Sequence, residues 1–278
     1  MTSIQSRILT FAVGVPGISA IILLMPQANH LVFNLLTVIF IYLGSLETAN
    51  LFKQKGLSVP FFVPFCAALL PLIAWLSLNR SYSSIIMEYY AILFIMFILM
   101  LEINSTESSD FSSSLLRIGA SLTTFFYPAF FSIFAVRITG LDYPGLRLFA
   151  FLILVFSNDT AAYIFGSLFG RKSRRLFKAS PNKSLVGFGS GFVVTILIAL
   201  LVHYLLPGVF TSFPVAAAAG FSVGITAIIG DLAESALKRS AVIKDSGDVI
   251  PGRGGILDSI DSIIFSAPLY FLILHYFA

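Results

Sequence analysis

Residues 185–206 read L-V-G-F-G-S-G-F-V-V-T-I-L-I-A-L-L-V-H-Y-L-L, without one Asp, Glu, Lys or Arg. At 1.5 Å rise per residue, about 20 such residues cross the hydrocarbon core of a bilayer as a helix. A segment in lipid has to satisfy its own backbone N–H and C=O groups, which an open strand cannot do. Working outward from this run, eight more of similar length follow the same pattern: 8–25, 31–51, 61–78, 85–101, 115–136, 148–169, 213–236 and 256–277. Of the 278 residues, 58% are hydrophobic and 11% charged, and the mean hydropathy is +0.96. An average soluble domain is about 25% charged, so water-soluble packing is excluded. The expectation is an all-α integral membrane protein of about nine transmembrane helices, forming one polytopic domain over 1–278.

Arg7 ahead of the run 8–25 imitates a secretory leader, but no small-x-small cleavage site follows, and this run is expected to stay as the first span. The single Cys66 rules out an intrachain disulfide. No segment interleaves basic and aromatic residues as a nucleic-acid site does, so no nucleic-acid partner is expected.

Placement of the 17 Lys and Arg sets the expected orientation. With the N-terminus inside, the outer segments hold Arg80, Arg137 and Arg147, and the other fourteen lie on the cytoplasmic side. The positive-inside rule therefore favours an N-in, C-out topology, multi-pass in the cytoplasmic (inner) membrane. The acidic segment 102–114, with Glu102, Glu107 and Asp110, also falls inside; acids carry little weight in that rule.

Charge within a span is costly and points to function. Glu47 lies near the inner end of the second span, Asp159 near the middle of the sixth, and Asp231 with Glu234 near the inner end of the eighth. Asp258 and Asp261 open the ninth. The chemistry is thus expected in residues 148–278, with the spans of 1–147 as scaffold. Asp258 and Asp261 are three apart and share a helix face, as do Asp231 and Glu234. Four carboxylates converging at one depth would repel one another, and hard divalent cations such as Mg²⁺ relieve that repulsion. The competing reading pairs these acids with Lys238, Arg239 and Lys244 as structural ion pairs.

Between the acids runs S-A-L-K-R-S-A-V-I-K-D-S-G-D-V-I-P-G-R-G-G, residues 235–255. Lys238, Arg239, Lys244 and Arg253 supply cations. Gly252, Gly254 and Gly255 let backbone N–H groups approach an anion, next to the N-terminus of the ninth helix. Acids for metal, cations and open amides together describe a polyphosphate site. A second basic loop carries Arg171 to Arg175, which serve as topology signals or lipid-headgroup contacts. It ends in S-P-N-K-S, where Lys183 stands at a helix entrance with Ser180, Asn182 and Ser184 as cap candidates. Lys183 is the better phosphate ligand of that loop. His30, His203 and His275 lie away from the cluster and read as core or interfacial.

The stretch S-A-L-K-R-S-A-V-I-K-D-S-G-D-V-I-P-G-R-G-G-I-L-D-S-I-D closely resembles the hallmark segment of phosphatidate cytidylyltransferases, the CDP-diacylglycerol synthases. N-D-T-A-A-Y-I-F-G-S-L-F-G-R and S-P-N-K-S resemble that family's upstream region, so the likeness spans about Ser157 to Pro268. The resemblance implies that CTP and phosphatidate give CDP-diacylglycerol and diphosphate with Mg²⁺, with or without a second cation. It further implies Asp231 and Asp258 as metal ligands supported by Asp261 and Asp159. Lys238, Arg239, Lys244 and Lys183 would hold phosphates, and Asp245 and Ser235 would shape the site.

Three positions depart from the family pattern. Arg253 stands where P-G-H-G-G has His, Ser259 where D-R-x-D has Arg, and Asn182 and Val186 replace Lys and Glu of S-P-K-K-T-x-E-G. Arg253 is expected to supply the cation missing at 259. The alternatives are a CTP-dependent polyprenol- or phytol-type lipid kinase and an ion-coupled transporter. The D-G-x-x-A-R pattern of CDP-alcohol phosphotransferases is absent from the sequence. The small-residue spacings Gly187/Gly191 and Ala216/Gly220/Gly224 fit packing within the chain, with a homodimer face as the other option.

Overall fold

The computed structural model describes residues 3–79, 85–103, 111–170, 173, 177–181 and 183–277, with side chains from residue 12 onward. Nine α-helices run through the described residues: α1 (Ser3–Leu24), α2 (Gln27–Gln54), α3 (Val63–Asn79), α4 (Ile85–Ile103), α5 (Ser114–Ile138), α6 (Pro144–Phe169), α7 (Leu185–Leu205), α8 (Phe213–Ser240) and α9 (Leu257–Phe277). No strand occurs among them, only an isolated bridge between Ile250 and Gly254. Seven helices (α2 and α4–α9) are long and apolar enough to cross a membrane. α1 and α3 contribute the shorter apolar stretches Ala12–Leu24 and Val63–Leu78.

Helix ends depart from the apolar runs where charge begins. α8 continues past residue 236 to Ser240 because Lys238 and Arg239 complement the negative end of the helix dipole. α2 starts before its apolar run, and Ala28, Asn29 and His30 take left-handed φ values of 49°, 51° and 57°. That bend frees carbonyls from the helical ladder. Asn34 Nδ2 donates to the Asn29 oxygen at 2.7 Å and Trp75 Nε1 to that of Ala28 at 3.1 Å.

The last four helices pack in chain order, α6 on α7, α7 on α8 and α8 on α9, while α2, α3 and α5 form a second group joined to the first through α5 and α9. Small residues bring the backbones of the first group together. A Cβ at Gly191 would lie 2.8 Å from the Asn158 carbonyl oxygen on α6. One at Gly220 would lie 2.8 Å from Ile196 Cα on α7, and one at Gly230 2.7 Å from the Asp261 carbonyl oxygen on α9. These spacings therefore serve packing within the chain. His30 is buried, His203 Nδ1 lies 3.1 Å from the Phe210 oxygen, and the His275 ring stacks on Phe271.

Candidate active site

α8 ends in an acid-rich turn, and the loop after it folds back to deliver α9. Lys238 sits one turn beyond Glu234 and pairs with it at 2.7 Å. The same ammonium pairs with Asp258 at the start of α9. Glu234 is 1% exposed, and its Oε1 has no hydrogen-bond partner among the described residues. Asp231, one turn earlier, turns the other way and pairs with Lys183. Sequence spacing put Asp231 and Glu234 on one face; the structure sends Asp231 to a cavity and Glu234 behind it.

The loop is closed by a tight turn, with the Ile250 N–H donating to the Gly254 oxygen at 2.8 Å and the Gly254 N–H donating back at 3.1 Å. Gly252 and Gly254 hold φ of 78° and 110°, a region that favours glycine. Asp258 Oδ2 then accepts from the Ser246 N–H at 2.9 Å, the Gly255 N–H at 2.8 Å and the Ser246 hydroxyl at 2.9 Å. A Cβ at Gly254 would lie 2.6 Å from that same Oδ2. The glycines thus admit a carboxylate of the protein itself, and the Gly254 and Gly255 amides expected to face an external anion are committed to Ile250 and Asp258.

A second carboxylate closes the α9 N-terminus from a distant helix. Glu47 of α2, 5% exposed, accepts from the Ile256 N–H at 2.9 Å, the Leu257 N–H at 2.8 Å and the Ser246 hydroxyl at 2.9 Å. A helix N-terminus attracts negative charge, and here the protein supplies it. Sequence reasoning noted Glu47 as a costly charge in a span but did not connect it with the site. Its isolation in an apolar run was the available signal.

These elements enclose a cavity of about 340 Å³. Asp159 from α6, Asp231 from α8, and Asp258 and Asp261 from α9 line it, facing Lys183 and Arg253. Asp261 is 4% exposed, with Oδ1 accepting from the Ser262 N–H at 2.6 Å. Asn158 anchors the floor, donating to Thr195 Oγ1 at 3.1 Å and the Gly224 oxygen at 3.3 Å. Burial holds the Lys183 ammonium below the ordinary lysine range, against the opposing pull of Asp261 and Asp159.

The structure therefore brings together Asp159, Lys183, Asp231, Arg253, Asp258 and Asp261, with Lys238 bound to Asp258 at the edge. Ser180, Ser235, Arg239, Lys244 and Asp245 do not line the cavity. Arg239 donates from Nε to the Ala179 oxygen at 3.3 Å and so ties the Lys183 loop to α8. Lys244 and Asp245 are exposed. Ser184, of the three cap candidates, caps α7, accepting from the Gly187 N–H at 3.1 Å. Asn182 lies outside the described residues, as do Arg171, Lys172, Arg174 and Arg175.

Among the described residues no group of three or more His, Cys, Asp or Glu side chains is gathered tightly enough to hold a metal ion. The donor chemistry nevertheless suits a hard divalent cation. Four carboxylates face two cations across the cavity, and the buried Glu234 Oε1 lacks a partner among the described residues.

Fold and cavity together define a polytopic membrane protein with a cleft of acids and cations built on its last four helices. The chain belongs to the cytidylyltransferase family, whose model matches residues 5–277. It is 30% identical over 272 residues to a phosphatidate cytidylyltransferase of Staphylococcus saprophyticus, covering 93% of this chain and 96% of that one. It is also 36% identical over 149 residues to a phosphatidate cytidylyltransferase of Bacillus subtilis, and 38% over 138 residues to the uncharacterized protein YnbB of Escherichia coli. Those two matches cover 50% of this chain, and 51% and 45% of the relatives.

Proposed function

We propose that the chain transfers a cytidylyl group from CTP to phosphatidate, giving CDP-diacylglycerol and diphosphate. The observation that carries this reading is the cavity where Asp159, Asp231, Asp258 and Asp261 face Lys183 and Arg253 at the end of a membrane helix bundle. The names of the Staphylococcus and Bacillus relatives support it.

The lipid phosphate is already an anionic nucleophile, so no Ser–His or Cys–His pair is required. Its oxygen bonds to the α-phosphorus of CTP, the bond from that phosphorus to the bridging oxygen breaks, and diphosphate leaves with the electron pair. Catalysis then rests on positioning and charge neutralisation. Lys183 and Arg253 hold phosphates, and Lys238 keeps Asp258 and Glu234 in place. Asp231, Asp258 and Asp261, supported by Asp159, would hold Mg²⁺, which supplies Lewis-acid neutralisation of the triphosphate when bound. Ser246 and Gly255 fix the carboxylate of Asp258. Residues 148–278 carry these groups and 1–147 brace them, with Glu47 as the brace that reaches the loop. The Lys and Arg distribution supports a cytoplasmic setting for this end of the bundle, where CTP is available.

The test uses purified chain in detergent with phosphatidate, Mg²⁺ and CTP labelled at the α-phosphate. Label should move into lipid, and Asp258→Ala and Asp231→Ala should abolish the transfer without loss of helical content. Label that stays wholly in water-soluble products refutes the reading, and a parallel reaction with CTP labelled at the γ-phosphate that then moves label into lipid indicates a kinase.

A further inference from the structure

A second cavity, of about 230 Å³, lies against the first. α6 and α9 wall both. On α9, Asp258, Asp261 and Ser262 face the acid cavity, while Ser259, Ile260, Ile263 and Ile264 face the second. On α6, Asp159 lines the first, and Phe151, Leu152 and Phe156 line the second. Arg253, in the turn that leads to α9, lines both. α1, α2 and α5 close the far side, through residues that include Gly14, Phe33, Thr37 and Ala135.

The second cavity is apolar in fact as well as in name. Its hydroxyls are turned onto their own helices: Thr37 Oγ1 donates to the Phe33 oxygen at 3.0 Å, Ser132 Oγ to Ala129 at 2.7 Å, and Ser259 Oγ to Gly255 at 3.2 Å. A buried water needs two to four polar partners, so such a wall does not hold water well and favours a hydrocarbon. A guanidinium at its mouth, shared with the acid cavity, matches a ligand that joins one phosphate to a long apolar chain. Ser259 contributes to the opening, since a longer cationic side chain at that position would stand in the slot.

We infer that this cavity, between α1, α2, α5, α6 and α9, receives an acyl chain of the lipid phosphate, with Arg253 at its mouth beside the headgroup. The inference rests on the cytidylyltransferase reading and adds the place of the lipid tail. Gly14 offers a clean probe. It lines the slot, and a Cβ there meets nothing within 4 Å among the described residues, so added bulk enters open space. A helical glycine is also replaced without backbone penalty.

The experiment measures kcat/KM of the whole 278-residue chain for dioleoyl and dihexanoyl phosphatidate, with saturating CTP and Mg²⁺. Gly14→Leu should lower the dioleoyl-to-dihexanoyl ratio by about tenfold, the equivalent of about two methylenes denied burial. Phe33→Ala, which widens the slot, should raise the ratio even though it lowers the unfolding temperature, because Phe33 also packs against the core, whereas Gly14→Leu should unfold no lower than wild type. A ratio unchanged in Gly14→Leu, or equal losses on both lipids, overturns the slot and leaves the reaction standing. Absence of label transfer to either lipid by the wild type overturns the reaction and the slot with it.

Discussion

Glu47 is the perturbation that separates a positioned loop from a merely flexible one. Its carboxylate takes two backbone N–H groups of the α9 start and the Ser246 hydroxyl, all at 2.8–2.9 Å and nearly out of solvent. A hydrogen bond to a charged acceptor contributes about 1.5–3 kcal/mol. Glu47→Gln keeps the shape and one acceptor oxygen, and its amide N–H₂ meets a donor in place of an acceptor. It can retain the Leu257 and Ser246 contacts only by losing that of Ile256, a cost of about 2 kcal/mol. Glu47→Ala strands the two backbone donors, while the Ser246 hydroxyl keeps Asp258 as its acceptor, and leaves a gap, for about 4 kcal/mol. Ser246 also donates to Asp258, so slack in the loop moves that carboxylate. A displacement approaching 1 Å costs about 100-fold in rate. Thermal unfolding in detergent and transfer of α-labelled phosphate to lipid measure the two effects. The expected order of both stability and kcat is wild type, then Gln, then Ala. Glu47→Ala with wild-type unfolding and kcat would refute the claim that this carboxylate seats α9.

Two other substitutions test neighbouring contacts. Gly255→Ala places a Cβ against Ser246 Oγ and the Glu47 carboxylate, and should cost about 1–3 kcal/mol of stability together with most activity; an alanine as stable and active as wild type shows that the clasp has room. Arg253→Ala should lower kcat/KM about 100-fold, and full activity with unchanged CTP affinity shows that this guanidinium does not replace the cation absent at position 259.

Much of the architecture was legible because lipid imposes a simple rule on sequence. The uncharged run at 185–206 became α7 to within one residue, and each of the other runs became a helix. Spacing alone brought Asp258 and Asp261 to one wall. Local pattern failed where partners come from far along the chain. Nothing near Glu47 shows that the amides it accepts lie 209 and 210 residues away. Nor does P-G-R-G-G show whether its amides face a ligand or the protein's own carboxylate. The left-handed start of α2 was invisible for the same reason: Trp75, on another helix, satisfies one of the carbonyls it frees. Lys244 and Asp245 matched a motif yet stand in solvent, because motif membership does not fix the direction of a side chain.

The two cavities on opposite sides of α9 have a consequence for what the loop ahead of it can tolerate. α9 is a partition, and its angular phase is fixed at one end by the capping carboxylates. A helix turns about 100° per residue, so deleting one residue between the turn at 250–254 and Asp258 would swing Asp261 to the place of Ile260 on the greasy side and Ile263 to that of Ser262 on the wet one, while adding one would set Ile260 where Asp261 stands. The side chains of that stretch can be exchanged with graded loss, but its length is a counted quantity.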